Sequence, residues 1–173
     1  AITILDDILK RNPYNFSSLT SKGHAQKTLG KTDQAIESYQ SAYKIRQDHG
    51  EAFFSLANLK TYSFSKEELN NMRYQVERLD LSLQDKAYFH FALAQGCETD
   101  GNYEEAFFHL EKGNKIKNDQ SLYSIERMDK ELQAQIDVCN NEFFSDLGQG
   151  GHDTNDPIFI LGLPRSGSTL VEQ

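Results

Sequence analysis

Two stretches of this chain are written in one pattern. After Gly30 comes Ala35 five positions on, Tyr39 four further and Ala42 three beyond; after Gly101 come Ala106, Leu110 and Gly113 at the same steps. Gly30 and Gly101 are 71 positions apart, twice a unit of about 34 residues. Stepping back one unit from Ala35 reaches Ala1, with Leu5, Ile8 and Pro13 in the matching places; stepping forward reaches Leu69, with Val76 behind it. A unit of this length holds two helices and cannot bury its apolar stripe alone, so several units must stack.

The small residues say where the helices cross. Gly23, Ala57 and Ala94 recur in the first helix of each unit, Ala35 and Ala106 in the second, and Gly30 and Gly101 turn the chain between the two. Leu56 and Leu93 fill the core. The pattern predicts helices over 1–11, 16–29, 32–46, 50–62, 66–78, 84–99 and 102–117. In the middle unit Leu69 replaces the small alanine and Ser63 to Ser65 replace the turn glycine. Ser65 before Glu67 and Glu68 reads as a helix cap with acids in the first turn.

These features resemble the tetratricopeptide repeat (TPR). The resemblance implies an all-α, right-handed superhelix, or solenoid, of helix pairs over residues 1–118, the first pair truncated. It also implies that first helices line an inner groove for a protein or peptide. Phe54, Asn58, Tyr62, Tyr88, Phe91 and Gln95 are the candidate groove residues, with His24 beside them. Thr20, Phe54 and Phe91 stand where a clamp for a chaperone's terminal carboxylate would want cations, so that partner class is disfavoured.

Residues 119–146 read as a long capping helix, helical over about 121–145. Leu122, Ile125, Met128, Leu132, Ile136, Cys139 and Phe143 recur at steps of three and four. A polar, glycine-rich linker follows over 147–156. Cys97 and Cys139 sit among apolar residues and read as buried free thiols of a reducing compartment, hence a cytoplasmic location. His24, His49, His90, His109 and His152 read as packing residues, and no two show metal-ligand spacing, so no metal site is expected. The net charge of −8 leaves no basic face for nucleic acid, and no apolar run reaches membrane-spanning length.

The last residues, PIFILGLPRSGSTLVEQ (157–173), are of another kind. The apolar run 158–161 suits a buried strand, Gly162 and Pro164 stop it, and Gly167 admits a tight turn into a helix starting near Ser168 and Thr169. The free N–H groups of such a helix end, with nearby hydroxyls and a cation, hold an oxyanion. Gly162, Gly167 and Thr169 fit the nucleotide loop Gly-x-x-x-x-Gly-Lys-Ser/Thr, but Ser168 stands at the lysine position, which disfavours ATP chemistry.

This segment resembles the phosphosulfate-binding loop of sulfotransferases that use 3′-phosphoadenosine 5′-phosphosulfate (PAPS), in a form closer to bacterial and tyrosylprotein enzymes. The resemblance implies the strand-and-loop start of a truncated α/β sulfotransferase domain at 157–173. It further implies that Arg165, Ser166, Gly167, Ser168 and Thr169 bind the cosubstrate and that Arg165 is catalytic, offsetting developing charge. The family's base and 3′-phosphate site fall outside the chain, so a fragment like this is expected to bind no PAPS by itself. Two functions follow: part of a sulfotransferase whose repeats bind a protein or acceptor, or a TPR interaction scaffold without enzymatic activity. An unpaired C-terminal strand would give a route to homo-oligomers.

Overall fold

The turn glycines set the frame. A computed structural model of the chain describes residues 1–121, 124–147 and 162. Its helices are α1 (Ile2–Arg11), α2 (Phe16–Thr28), α3 (Thr32–Ile45), α4 (Gly50–Ala57), α5 (Lys66–Glu77), α6 (Leu83–Thr99), α7 (Tyr103–Gln120), α8 (Ile125–Val138) and α9 (Asn141–Leu147). Gly30 and Gly101 have φ of +72° and +76°, where only glycine is at ease. Each closes a helix the same way. Lys31 N–H bonds Gln26 C=O and Gly30 N–H bonds Lys27 C=O; Asn102 and Gly101 repeat this on Cys97 and Glu98.

Side chains start the helices as well. Asn15, Ser82 and Asn102 each accept the N–H three residues on, and Ser65 and Glu68 form a reciprocal capping box.

The chain divides into two units, residues 1–122 and 123–173. In the first, α2 packs on α3 and α6 on α7 as antiparallel helix pairs, joined through α4, which touches α2, α3 and α6. Gly23 admits the close α2–α3 approach: a Cβ there would lie 2.4 Å from the Tyr39 ring. Ala35 and Ala106 are buried at the two crossings. The main core joins Phe53 and Ala57 to Leu69, Met72 and Val76 and to Phe89, Ala92 and Leu93.

The middle pair departs from its neighbours. α4 was expected to run to residue 62 but ends at Ala57, and Lys60 takes a left-handed φ of +59°. With Leu69 where the outer pairs have alanine, α5 leans on α6 instead of closing tightly on α4. Tyr43 and Phe64, half-buried, pack against the core at this wider gap.

In the second unit the single helix expected over 121–145 is two. Asn140 divides them: its Oδ1 accepts the Phe143 N–H at 2.9 Å while its Nδ2 donates to Asp137 C=O at 3.0 Å. One side chain thus begins α9 and ties back to the end of α8. Cys139, expected to be buried, is exposed at this break; Cys97 is buried as expected. Ile125, Met128, Leu132 and Ile136 form the apolar stripe along α8, and no residue of α8 is buried. Leu122 of the expected stripe lies outside the described residues.

Among the described residues there is no strand, and homo-oligomers through a C-terminal strand gain no support. Residues 157–161 and Arg165, Ser166, Gly167, Ser168 and Thr169 lie outside the described residues, as does His152. No described helix is long and apolar enough to cross a membrane.

Candidate functional site

The first helices α2, α4 and α6 lie side by side, and polar and aromatic contacts run across the row. His24 on α2 stands between Tyr39, whose hydroxyl is 2.9 Å from Nδ1, and Glu51 on α4, 3.3 Å from Nε2. Next to it, His49 Nε2 and the Thr20 hydroxyl are 2.9 Å apart. Burial holds the His49 imidazole below its ordinary range, against the pull of Glu51 and Asp85.

Further along the row, Phe54 of α4 stacks on Tyr88 of α6 at 4.9 Å and tilts against Phe91 at 5.9 Å. Below these rings opens a cavity of about 500 Å³. Phe54, Asn58, Phe91 and Gln95, four of the six expected groove residues, line it together. Ala57 and Ala94 line it too, and small side chains there leave the hollow unfilled. Tyr88 flanks the cavity, held between the Phe54 ring and the Lys117 ammonium 5.7 Å away.

Tyr62 belongs elsewhere, which corrects its expected place. Because α4 stops at Ala57, Tyr62 is no longer on the helix whose face would have carried it, and its hydroxyl turns to Glu68.

Two features of the cavity had no signal in a helical pattern. Lys60, the left-handed residue, lines it beside Asn58. Gln95 donates from Nε2 to Thr99 at 3.1 Å, but its Oε1 is buried without a hydrogen-bond partner. A buried amide oxygen left unpaired costs about 1–3 kcal/mol.

A second cavity, of about 470 Å³, lies at the wider gap beside α5. On its wall Glu68 receives three neutral donors: Tyr43 OH at 2.7 Å and Tyr62 OH at 2.5 Å on Oε1, and Ser65 N–H at 2.7 Å on Oε2. Burial alone would raise the Glu68 pKa; the two hydroxyls and the amide outweigh it and hold the carboxyl below its ordinary range. The same contact, added to burial, pushes Tyr62 up to about 12 and raises Tyr43 further.

Two buried imidazoles also meet, which their sequence spacing did not announce. His90 Nδ1 and His109 Nδ1 are 2.9 Å apart, so one donates and the other accepts. Burial, then the neighbouring His109, pushes His90 down to about 4. Burial lowers His109 too, against the opposing pull of Glu105. Among the described residues no three His, Cys, Asp or Glu groups stand together as metal ligands.

Residues 16–49, which hold α2, α3 and the turn at Gly30, match the tetratricopeptide repeat family. Over its whole length the chain is similar to an uncharacterized protein of Aquifex aeolicus (strain VF5), at 26% identity over 173 residues. That match covers 100% of the chain, and the chain spans 22% of the relative's length.

Proposed function

We propose that residues 1–121 are a protein-interaction module of the TPR kind and that its ligand is a peptide segment seated in the Phe54–Phe91 cavity. The observation that carries this reading is the unpaired Gln95 Oε1 at an aromatic-lined hollow. A peptide supplies what is missing: a backbone or side-chain N–H for Gln95, an apolar side chain for Phe54 and Phe91, and a carbonyl or carboxylate for Asn58 and Lys60. Glu98, which also lines the cavity, limits how acidic the ligand can be.

Selection of a random peptide library on the purified chain tests this. Peptides enriched on the parent chain are expected to lose at least tenfold in affinity on Phe54→Ala and on Asn58→Ala. Glu37→Ala, on an exposed part of α3, should leave them unchanged. Enrichment of no peptide, or equal binding by all variants, would remove the groove as the site.

A second reading concerns the larger protein of which this chain can be a segment, and it rests on the sequence of 157–173. There we propose a PAPS-dependent sulfotransferase, with Arg165, Ser166, Gly167, Ser168 and Thr169 as the anion cradle and the repeats as the part that binds an acceptor or partner protein. Labelled-sulfate transfer by the whole protein, with an ATPase control, decides it. Transfer that Arg165→Ala abolishes would support the reading; ATP turnover without PAPS binding would discard it.

A further inference from the structure

The Phe54–Phe91 cavity carries charge as well as rings, and its charges are divided between its walls. On the α6 wall Gln95 and Glu98 are three positions apart, and residues so spaced are neighbours on a helix surface. On the α4 side stand Asn58 and Lys60. Among the described residues Glu98 and Lys60 make no ion pair, with each other or with any other group. The Gln95 amide is held one way round. The Thr99 hydroxyl gives its proton to the Gln95 carbonyl at 3.0 Å, so its oxygen accepts from Nε2, and Oε1 is left for another donor. Asn58, Lys60 and Glu98 are exposed and water serves them, whereas Gln95 Oε1 is buried. The unmet need is therefore for a hydrogen-bond donor, and the carboxylate beside it favours a donor that is positively charged.

We propose that this cavity takes a peptide by its free N-terminus, with the α-ammonium between Gln95 and Glu98. This rests on the peptide reading above and narrows it to the first residue of the ligand. An ammonium has three protons, enough for Gln95 Oε1 and the Glu98 carboxylate together. The same residue brings an apolar side chain for Phe54, Phe91 and Leu110, and a carbonyl for Asn58 or Lys60. A lysine side chain would bring the ammonium, but only methylenes to the rings and no carbonyl beside them. A terminal carboxylate would meet Lys60 but would face Glu98 with like charge.

The test titrates the full chain with Phe-Ala-Ser-Ala amide, its N-acetylated form and N-acetyl-Ala-Lys-Ser-Ala amide, read by amide chemical shifts. None of the three has a terminal carboxylate. The free-amine peptide is expected to saturate with its largest shifts at Asn58, Gln95 and Glu98. Acetylation removes the charge and two of the three protons but keeps the side chain, and should weaken binding about tenfold or more. Glu98→Gln, an exposed and nearly isosteric change, should weaken the free-amine peptide several-fold and leave the acetylated form unchanged. Gln95→Met, which keeps the length and removes the acceptor, should also narrow the gap between the two forms. Equal binding of the free and acetylated peptides at the groove would overturn N-terminal capture and leave the peptide reading standing. Tighter binding of the acetylated lysine peptide, or a Glu98→Gln variant that binds the free amine as the parent does, would overturn it too. Shifts from none of the probes would likewise overturn it. Library-selected peptides that still lose affinity on Phe54→Ala would then keep the groove, and their absence would remove both readings.

Discussion

Ala35 and Ala106 are the points where a single methylene is felt. Ala35 is fully buried between α2 and α3, and Ala106 is 6% exposed between α6 and α7. Ala35→Leu and Ala106→Leu should each cost about 1–3 kcal/mol, because the helix axes are already in close contact. Lys44→Leu, on an exposed surface, should stay within about 0.5 kcal/mol of the parent. Urea unfolding of the three variants checks this, and equal midpoints would deny the crossing.

The histidine pair carries a pH signature. The folded His90 pKa is lowered to about 4 from 6.5, so the unfolded chain binds the extra proton first. Stability is therefore whole above about pH 6.5 and falls as pH drops toward 4, reaching a loss of about 2 kcal/mol by pH 4.5. Glu68, whose folded pKa is lowered, acts in the same direction only below its ordinary range near 4.5. His90→Gln should flatten the slope between pH 6.5 and 4.5 in chemical unfolding. A slope equal to that of the parent would show that the pair does not titrate as described.

At the scale of elements, the middle of the stack is where the chain departs from its own rule. Lys60 holds a left-handed backbone that costs a lysine about 1 kcal/mol or more. Lys60→Gly should relieve that strain and leave stability equal or up to about 1 kcal/mol higher, while weakening any acidic or carbonyl-rich ligand of the groove. A drop in stability would mean that the Lys60 side chain, not the turn, holds this segment.

The outer pairs were legible because their signals are local. Gly30 and Gly101 are required by the helix-ending bonds, and Ala35 and Ala106 by the crossings. The shortening of α4 was not legible, since 58–62 reads as helix by composition, while the chain turns there through the left-handed Lys60 and Leu59 and Tyr62 pack on the Ala35–Tyr39–Leu56 cluster. Asn140 was missed for a related reason. Its apolar neighbours keep the helical period on both sides, so periodicity passes over the cap that splits α8 from α9. Phe54, Asn58, Phe91 and Gln95 fall on one cavity because they repeat along first helices or at their ends. Lys60 and the Tyr43–Tyr62–Glu68 contact arise from the irregular middle pair, and repeat logic cannot reach them.

At the scale of the whole molecule, residues 1–121 are packed helices, and two of the cavities among them differ in chemistry. One offers aromatic faces, an amide oxygen without a hydrogen-bond partner among the described residues and a left-handed lysine; the other offers a buried carboxylate held by two tyrosine hydroxyls and Ser65. The claim that matters most is that this unit holds a peptide between Phe54 and Phe91. Its most direct test is amide chemical-shift mapping of the full chain with a library-selected peptide. The largest shifts are expected at Phe54, Asn58, Lys60 and Gln95, together with the Gln95 side-chain amide. Shifts confined to α2 and α3, or to the α8 stripe, would contradict it.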